Sequence, residues 1–225
     1  MALILAEIVL IYSTFYLPGI IWQIGFTGSQ LPELTVYFLQ YITVAVPQVF
    51  LLLYIIKIQK NLKFSDFGIR LIKISDIPKS LLVYSGIFLM LIPIIIFLVA
   101  LPETGQKIFK EGYRWKLQHI SQLPLAILFC ITTGYSEEIF FRSYLLTRLK
   151  QLGSSPYVSV TVSSLLFAMG HLYQGYTGYI VAAIQGVYFS IIFLKKKNIH
   201  LTALAHSLYN FTVLTASLFM KNPLP

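Results

Sequence analysis

Long apolar runs constrain the fold before any other feature does. Leu34–Ile58 and Ser80–Leu101 each exceed the ~18 residues that mark a membrane-crossing helix. In hydrocarbon, backbone polar groups must be satisfied internally, which leaves only helices and closed barrels. Only 11% of the 225 residues are charged and 57% are hydrophobic, whereas soluble domains carry about 25% charged residues. Too few charges remain to cover a water-facing surface, so the fold class is all-α, a polytopic transmembrane helical bundle. The length leaves no room for a separate soluble domain.

Seven spans are expected: about Ala2–Trp22, Leu34–Ile58, Ser80–Leu101, Gln122–Lys150, Pro156–His171, Gly178–Leu194 and Ile199–Met220. Pro47 and Pro93 fall inside the second and third, which transmembrane helices tolerate. Within Lys57–Lys79, Phe64, Phe67, Leu71 and Ile74 recur at helical spacing opposite basic residues. That pattern predicts one short amphipathic helix lying on the membrane surface. Met1–Glu7 lacks the basic n-region of a cleavable signal, so it reads as the start of a retained span.

The formal net charge is +9, yet no basic stripe interleaves with stacking aromatics, which argues against a nucleic-acid partner. The charge instead sets topology. With the N-terminus cytoplasmic, Lys57, Lys60, Lys63, Arg70, Lys73, Lys79, Arg148, Lys150 and Lys195–Lys197 share the inner face. Lys107, Lys110, Arg114, Lys116 and Lys221 occupy the other. Cys130 is the single cysteine, so no intrachain disulfide or cysteine metal cluster forms. It reads as a small buried hydrophobe.

Against this apolar background the fourth span carries Glu137, Glu138 and Arg142. An ionisable group in hydrocarbon costs at least ~2.5–3.5 kcal/mol, so three within six positions require a function or a closed network. Glu138 and Arg142, four apart, share a helical face and pair. Glu137 stands ~140° around the axis from Arg142 and is left without a local partner. Phe167 and His171 share a face of the fifth span, and His206 and Asn210 a face of the seventh. Polar groups concentrated in these spans, with none comparable in the second and third, predict convergence on one wet cavity.

No serine nucleophile elbow and no HExxH zinc helix is present. Ser136 reads as a packing residue. A carboxylate base with a histidine could deprotonate water for attack on a carbonyl, with His or Asn donating to the oxyanion. Equally, Glu137, His171 and His206 could hold a zinc ion with water as fourth ligand. Spacing alone leaves both open. His119 and His200 lie by connections and receive no role.

Glu137-Glu138-x-x-x-Arg142, Phe167-x-x-x-His171 and His206-x-x-x-Asn210 resemble the three motifs of the CPBP (CAAX protease, Abi) family of intramembrane endopeptidases. Order, internal spacing and placement on successive apolar helices agree. The resemblance implies that Glu137 is the general base that activates water with His171. It implies that His206 and Asn210 stabilise the oxyanion, and that Glu138 and Arg142 hold the constellation in place. It covers residues 122–220, a catalytic core of four spans, whereas residues 1–121 hold three spans with no specified likeness; together they form one integral membrane unit. The implied partners are a peptide or protein substrate at the membrane and the lipid bilayer itself. No cofactor is implied, with zinc kept as the alternative. Compactness points to a bacterial plasma-membrane protein. The competing functions are a non-catalytic immunity or scaffold protein of the same fold, and a proton or ion transporter.

Overall fold

The computed structural model describes residues 1–25, 33–59, 62–100, 117 and 119–219. All regular structure among them is helical. The first expected span is two helices, α1 (Ala2–Phe15) and α2 (Leu17–Gly25), parted at Tyr16. Pro18 explains the break, because it has no N–H to give to the preceding turn and its ring crowds that turn. Next come α3 (Leu34–Ile58) and α4 (Asp76–Val99), with Pro47 and Pro93 inside them.

The polypeptide between α3 and α4 does not form the expected surface helix. It makes one 3-10 turn, Phe64–Phe67, and then runs irregularly to Asp76. Gly68 ends the turn in the left-handed region at φ 66°, a conformation that favours glycine. Phe67 is buried, while Leu71 and Ile74 are almost fully exposed, so the four apolar residues share no face. Asp76 anchors the far end. Its buried carboxylate accepts from Arg70 Nη2 at 2.6 Å, Asn198 Nδ2 at 3.0 Å and the Lys73 N–H at 2.9 Å.

The central rod starts as α5 (Leu123–Glu138), widens into a π-helical turn at Ile139–Leu145, and returns to α6 (Leu146–Gln151). After a Gly153-containing turn comes α7 (Pro156–Met169), whose N-cap Ser155 accepts from the Val158 N–H. A 3-10 turn, Leu172–Gln174, leads into α8 (Gly175–Lys196) and then α9 (Ile199–Phe219).

Four stretches are long and apolar enough to cross a membrane: Leu34–Ile58, Asp76–Phe97, Ile120–Gln151 and Leu172–Lys196. That is fewer than the seven spans expected. The split first helix falls short, and α7 with its 14 residues reaches only ~21 Å against a hydrocarbon core of ~30 Å. The 21-residue α9 is long enough, but it carries His200, Thr202, His206, Ser207, Asn210, Thr212 and Thr215. Lys60, the basic residues of the 102–118 connection and Lys221 lie outside the described residues.

The rod α5 sits at the centre, with α9 and α3 packed against it, α4 behind α9, and α7 against α8. The approach of α9 is close because Gly134 has no side chain. A Cβ there would lie 2.3 Å from Ser207 Oγ and 2.8 Å from the Ala203 carbonyl oxygen. This contact stands one turn before the glutamate pair, so it sets how near α9 comes to them. Aromatic side chains fill the adjoining core, with Tyr16 packed on Phe140 and Phe141, and Phe141 edge-on to Phe167.

Candidate active site

The three motifs meet around Phe167. Its ring lies 4.8 Å from the His171 imidazole and 5.7 Å from that of His206, and the Arg142 guanidinium sits 4.3 Å above it. A cation over an aromatic face is attracted by the ring quadrupole. Phe189 of α8 stacks on His206 at 5.3 Å, and Phe167 meets the same imidazole at a steep angle.

Both nitrogens of that imidazole face carboxylates. His206 Nδ1 is 3.1 Å from Glu138 Oε1, and Nε2 is 3.7 Å from Glu137 Oε2. The shorter contact is a hydrogen bond in which the ring N–H donates, since an ionised carboxylate only accepts. Glu138 Oε1 also lies 3.2 Å from Arg142 Nη1, and both side chains are fully buried. The expected Glu138–Arg142 pair is therefore formed within the rod. The π turn that carries Arg142 is a local widening of the kind frequent at functional sites. Ser163 of α7 donates to the Phe141 carbonyl in this turn at 2.8 Å.

Glu137 reaches side chains of two other helices. Its Oε1 accepts from the Tyr41 hydroxyl of α3 at 3.0 Å. Its Oε2 is buried with no hydrogen-bond partner among the described residues, like Glu138 Oε2 and the three Arg142 nitrogens. Buried polar atoms of both signs gathered in one place form the kind of lining that holds water.

His171 lies just beyond α7, half-buried, with Nδ1 3.1 Å from the Phe167 carbonyl oxygen. Glu137 and His206 both act on it electrostatically. The 14-residue α7 hands the chain to a 3-10 turn, and Phe167 near its C-terminal end lies 5.7 Å from the His206 ring of α9. Asn210 is one turn beyond His206 on α9, half-buried. Ser136 is a packing residue as expected, its hydroxyl donating to the Thr133 carbonyl at 3.2 Å.

Two participants escaped the sequence reading. Tyr41 and Phe189 are single aromatics among 15 tyrosines and 17 phenylalanines, and no local pattern marks them. His200, assigned no role from its position, has other neighbours. Its Nε2–H donates to the Arg70 carbonyl at 2.7 Å, while its Nδ1 meets the Tyr135 hydroxyl at 2.9 Å.

Among the described residues, no group of three His, Cys, Asp or Glu side chains is placed to hold a metal ion. His206 Nδ1 meets Glu138 and His171 Nδ1 faces a backbone carbonyl, contacts that leave the Nε2 of each ring open.

An all-helical bundle with long apolar spans and a buried carboxylate–imidazole centre has the makings of an intramembrane hydrolase. Residues 119–212 match the family described as Rce1-like, type II CAAX prenyl endopeptidase Rce1-like. The resemblance carried by the three motifs is thereby borne out over that region, which contains all of them. The match supports a CAAX-type intramembrane endopeptidase in general, and with the four long apolar helices it fits an integral membrane protein. No curated protein and no solved structure matches the chain significantly.

Proposed function

We propose that this protein hydrolyses a peptide bond of a membrane-associated peptide or protein, using water activated by Glu137 with His171. The observation that carries the reading is Glu137 itself. It is a half-buried carboxylate with one oxygen hydrogen-bonded and the other buried, without a hydrogen-bond partner among the described residues, and facing the His206 imidazole.

In this mechanism Glu137 Oε2 takes a proton from water as the water oxygen attacks the scissile carbonyl carbon. The resulting oxyanion accepts hydrogen bonds from the Asn210 amide and from His206 Nε2–H, a step in which His206 carries both ring protons because its Nδ1–H is held by Glu138. Glu137 then returns the proton to the departing nitrogen, the C–N bond breaks, and the new carboxylic acid gives its proton to the amine, so that a carboxylate and an ammonium leave. Glu138 holds His206 through Nδ1–H, and Arg142 neutralises Glu138, so neither needs to touch the substrate. We assign no step to a metal.

The bias of basic residues supports an N-terminus on the cytoplasmic side. A bacterial plasma membrane is the proposed location.

The test uses the purified full-length chain in proteoliposomes and a quenched fluorogenic peptide ending in a farnesylated Cys-aliphatic-aliphatic-X sequence. An unprenylated hydrophobic peptide is assayed in parallel. Glu137→Gln should lower the cleavage rate by roughly 10²–10⁴-fold, the usual range for a general base, with unchanged yield of folded protein. Cleavage by Glu137→Gln at the wild-type rate would refute the reading.

A further inference from the structure

We infer that Tyr41 is a positioning residue for the Glu137 base, an assignment that rests on the hydrolytic reading above. Tyr41 belongs to α3, in the part of the chain that precedes the family match. Nothing in the three motifs points to it.

The geometry is direct. The Tyr41 hydroxyl stands 3.0 Å from Glu137 Oε1, and an ionised carboxylate can only accept, so the phenol donates. Its ring is fixed edge-on against Phe129 at 5.3 Å, with the Tyr37 ring at 6.5 Å. Ser136 Oγ approaches the same hydroxyl at 3.4 Å. The phenol is therefore a fixed donor on a rigid helix.

A glutamate needs such a donor for a physical reason. The terminal torsion of its carboxylate is broad and roughly two-fold, so nothing intrinsic distinguishes the two oxygens. Holding Oε1 on Tyr41 leaves Oε2, which faces His206 Nε2 at 3.7 Å, as the oxygen that receives the water proton. Without the phenol the carboxylate can rotate, and the base is misplaced for part of its time. Displacements of about 1 Å at a catalytic group can cost on the order of 10²-fold in rate. The N-terminal helices thereby contribute to the centre through one hydroxyl.

Tyr41→Phe keeps the ring packing and removes only the donor. In the fluorogenic assay its kcat should fall about 10–100-fold, with KM within about twofold and the unfolding midpoint unchanged, because a positioning loss acts on the chemical step. A purely structural role would lower the midpoint and disturb both constants. Tyr54→Phe, on an exposed part of the same helix, should match wild type in every measurement.

A second measurement needs neither substrate nor purification. Dicyclohexylcarbodiimide labelling in native membranes, read by mass spectrometry, should modify Glu137 at least about threefold faster in Tyr41→Phe, since Oε1 has lost its donor. Glu7, which accepts from Tyr144, Arg148 and Gln59, serves as the internal reference. An active wild type with equal kcat and equal labelling in Tyr41→Phe overturns the role of Tyr41 alone. A wild type that cleaves neither peptide overturns the hydrolytic reading and the assignment together.

Discussion

The buried pair Glu138–Arg142 offers the sharpest energetic test. Both side chains are fully buried, and their charged atoms stand 3.2 Å apart. At an effective dielectric constant of ~20 their attraction is about 5 kcal/mol. Most of that is offset by the cost of removing two charges from water, so the pair itself is a weak source of stability. Removing one partner is another matter, because the remaining charge is buried without compensation. Arg142→Met should therefore destabilise by about 3–5 kcal/mol, including the lost contact over the Phe167 ring. The double variant Glu138→Gln/Arg142→Met carries neither charge and should recover at least about 2 kcal/mol of that loss. The assay is reversible unfolding in mixed detergent micelles, with helicity followed against denaturing detergent. Arg142→Met should also lose hydrolysis, since Glu138 would no longer be held where it takes the His206 Nδ1–H. Additive costs in the double variant, or an Arg142→Met protein within about 1 kcal/mol of wild type, would contradict the electrostatic account.

Other perturbations address the scaffold. Gly134→Ala places a methyl against Ser207 Oγ and the Ala203 carbonyl; overpacking of this kind costs about 1–3 kcal/mol, and displacement of α9 should lower cleavage more than it lowers the unfolding midpoint. Asp76→Ala strands the Arg70 guanidinium, the Asn198 amide and the Lys73 N–H. A loss of about 2–4 kcal/mol is expected, and protease sensitivity of the 62–75 segment should rise. Ser163→Ala removes the donor to the Phe141 carbonyl of the π turn, for about 1 kcal/mol by thermal unfolding. Prolonged dialysis against a strong chelator should leave peptide cleavage within twofold of the untreated protein, since no step of the proposed mechanism uses a metal; a loss restored by zinc would argue for the zinc alternative.

Where the chemistry is local, the amino-acid pattern was sufficient. Glu138 and Arg142 pair because four residues bring them onto one face of one helix, whatever surrounds it. The same spacing freed Glu137, and it also freed its carboxylate to reach α3. Apolar length likewise foretold α3 and α4. The same reasoning failed where a local breaker competed with the apolar pattern. Pro18 divides the first helix at Tyr16, and Gly68 stops the 64–67 turn before a surface helix can form. A hydropathy pattern records which residues avoid water. It does not record where the backbone can no longer continue.

The residue types of the centre, and the helical face each occupies, followed from the sequence by itself, because helical periodicity depends only on the chain within a few turns. What only the tertiary structure decided is which side chains touch. His206 reaches Glu138 across 68 residues and Tyr41 reaches Glu137 across 96. Both contacts depend on how closely separate helices pack, which for α9 is set by the missing side chain at Gly134. Such contacts leave no period in the chain, since each is satisfied by one residue at one place.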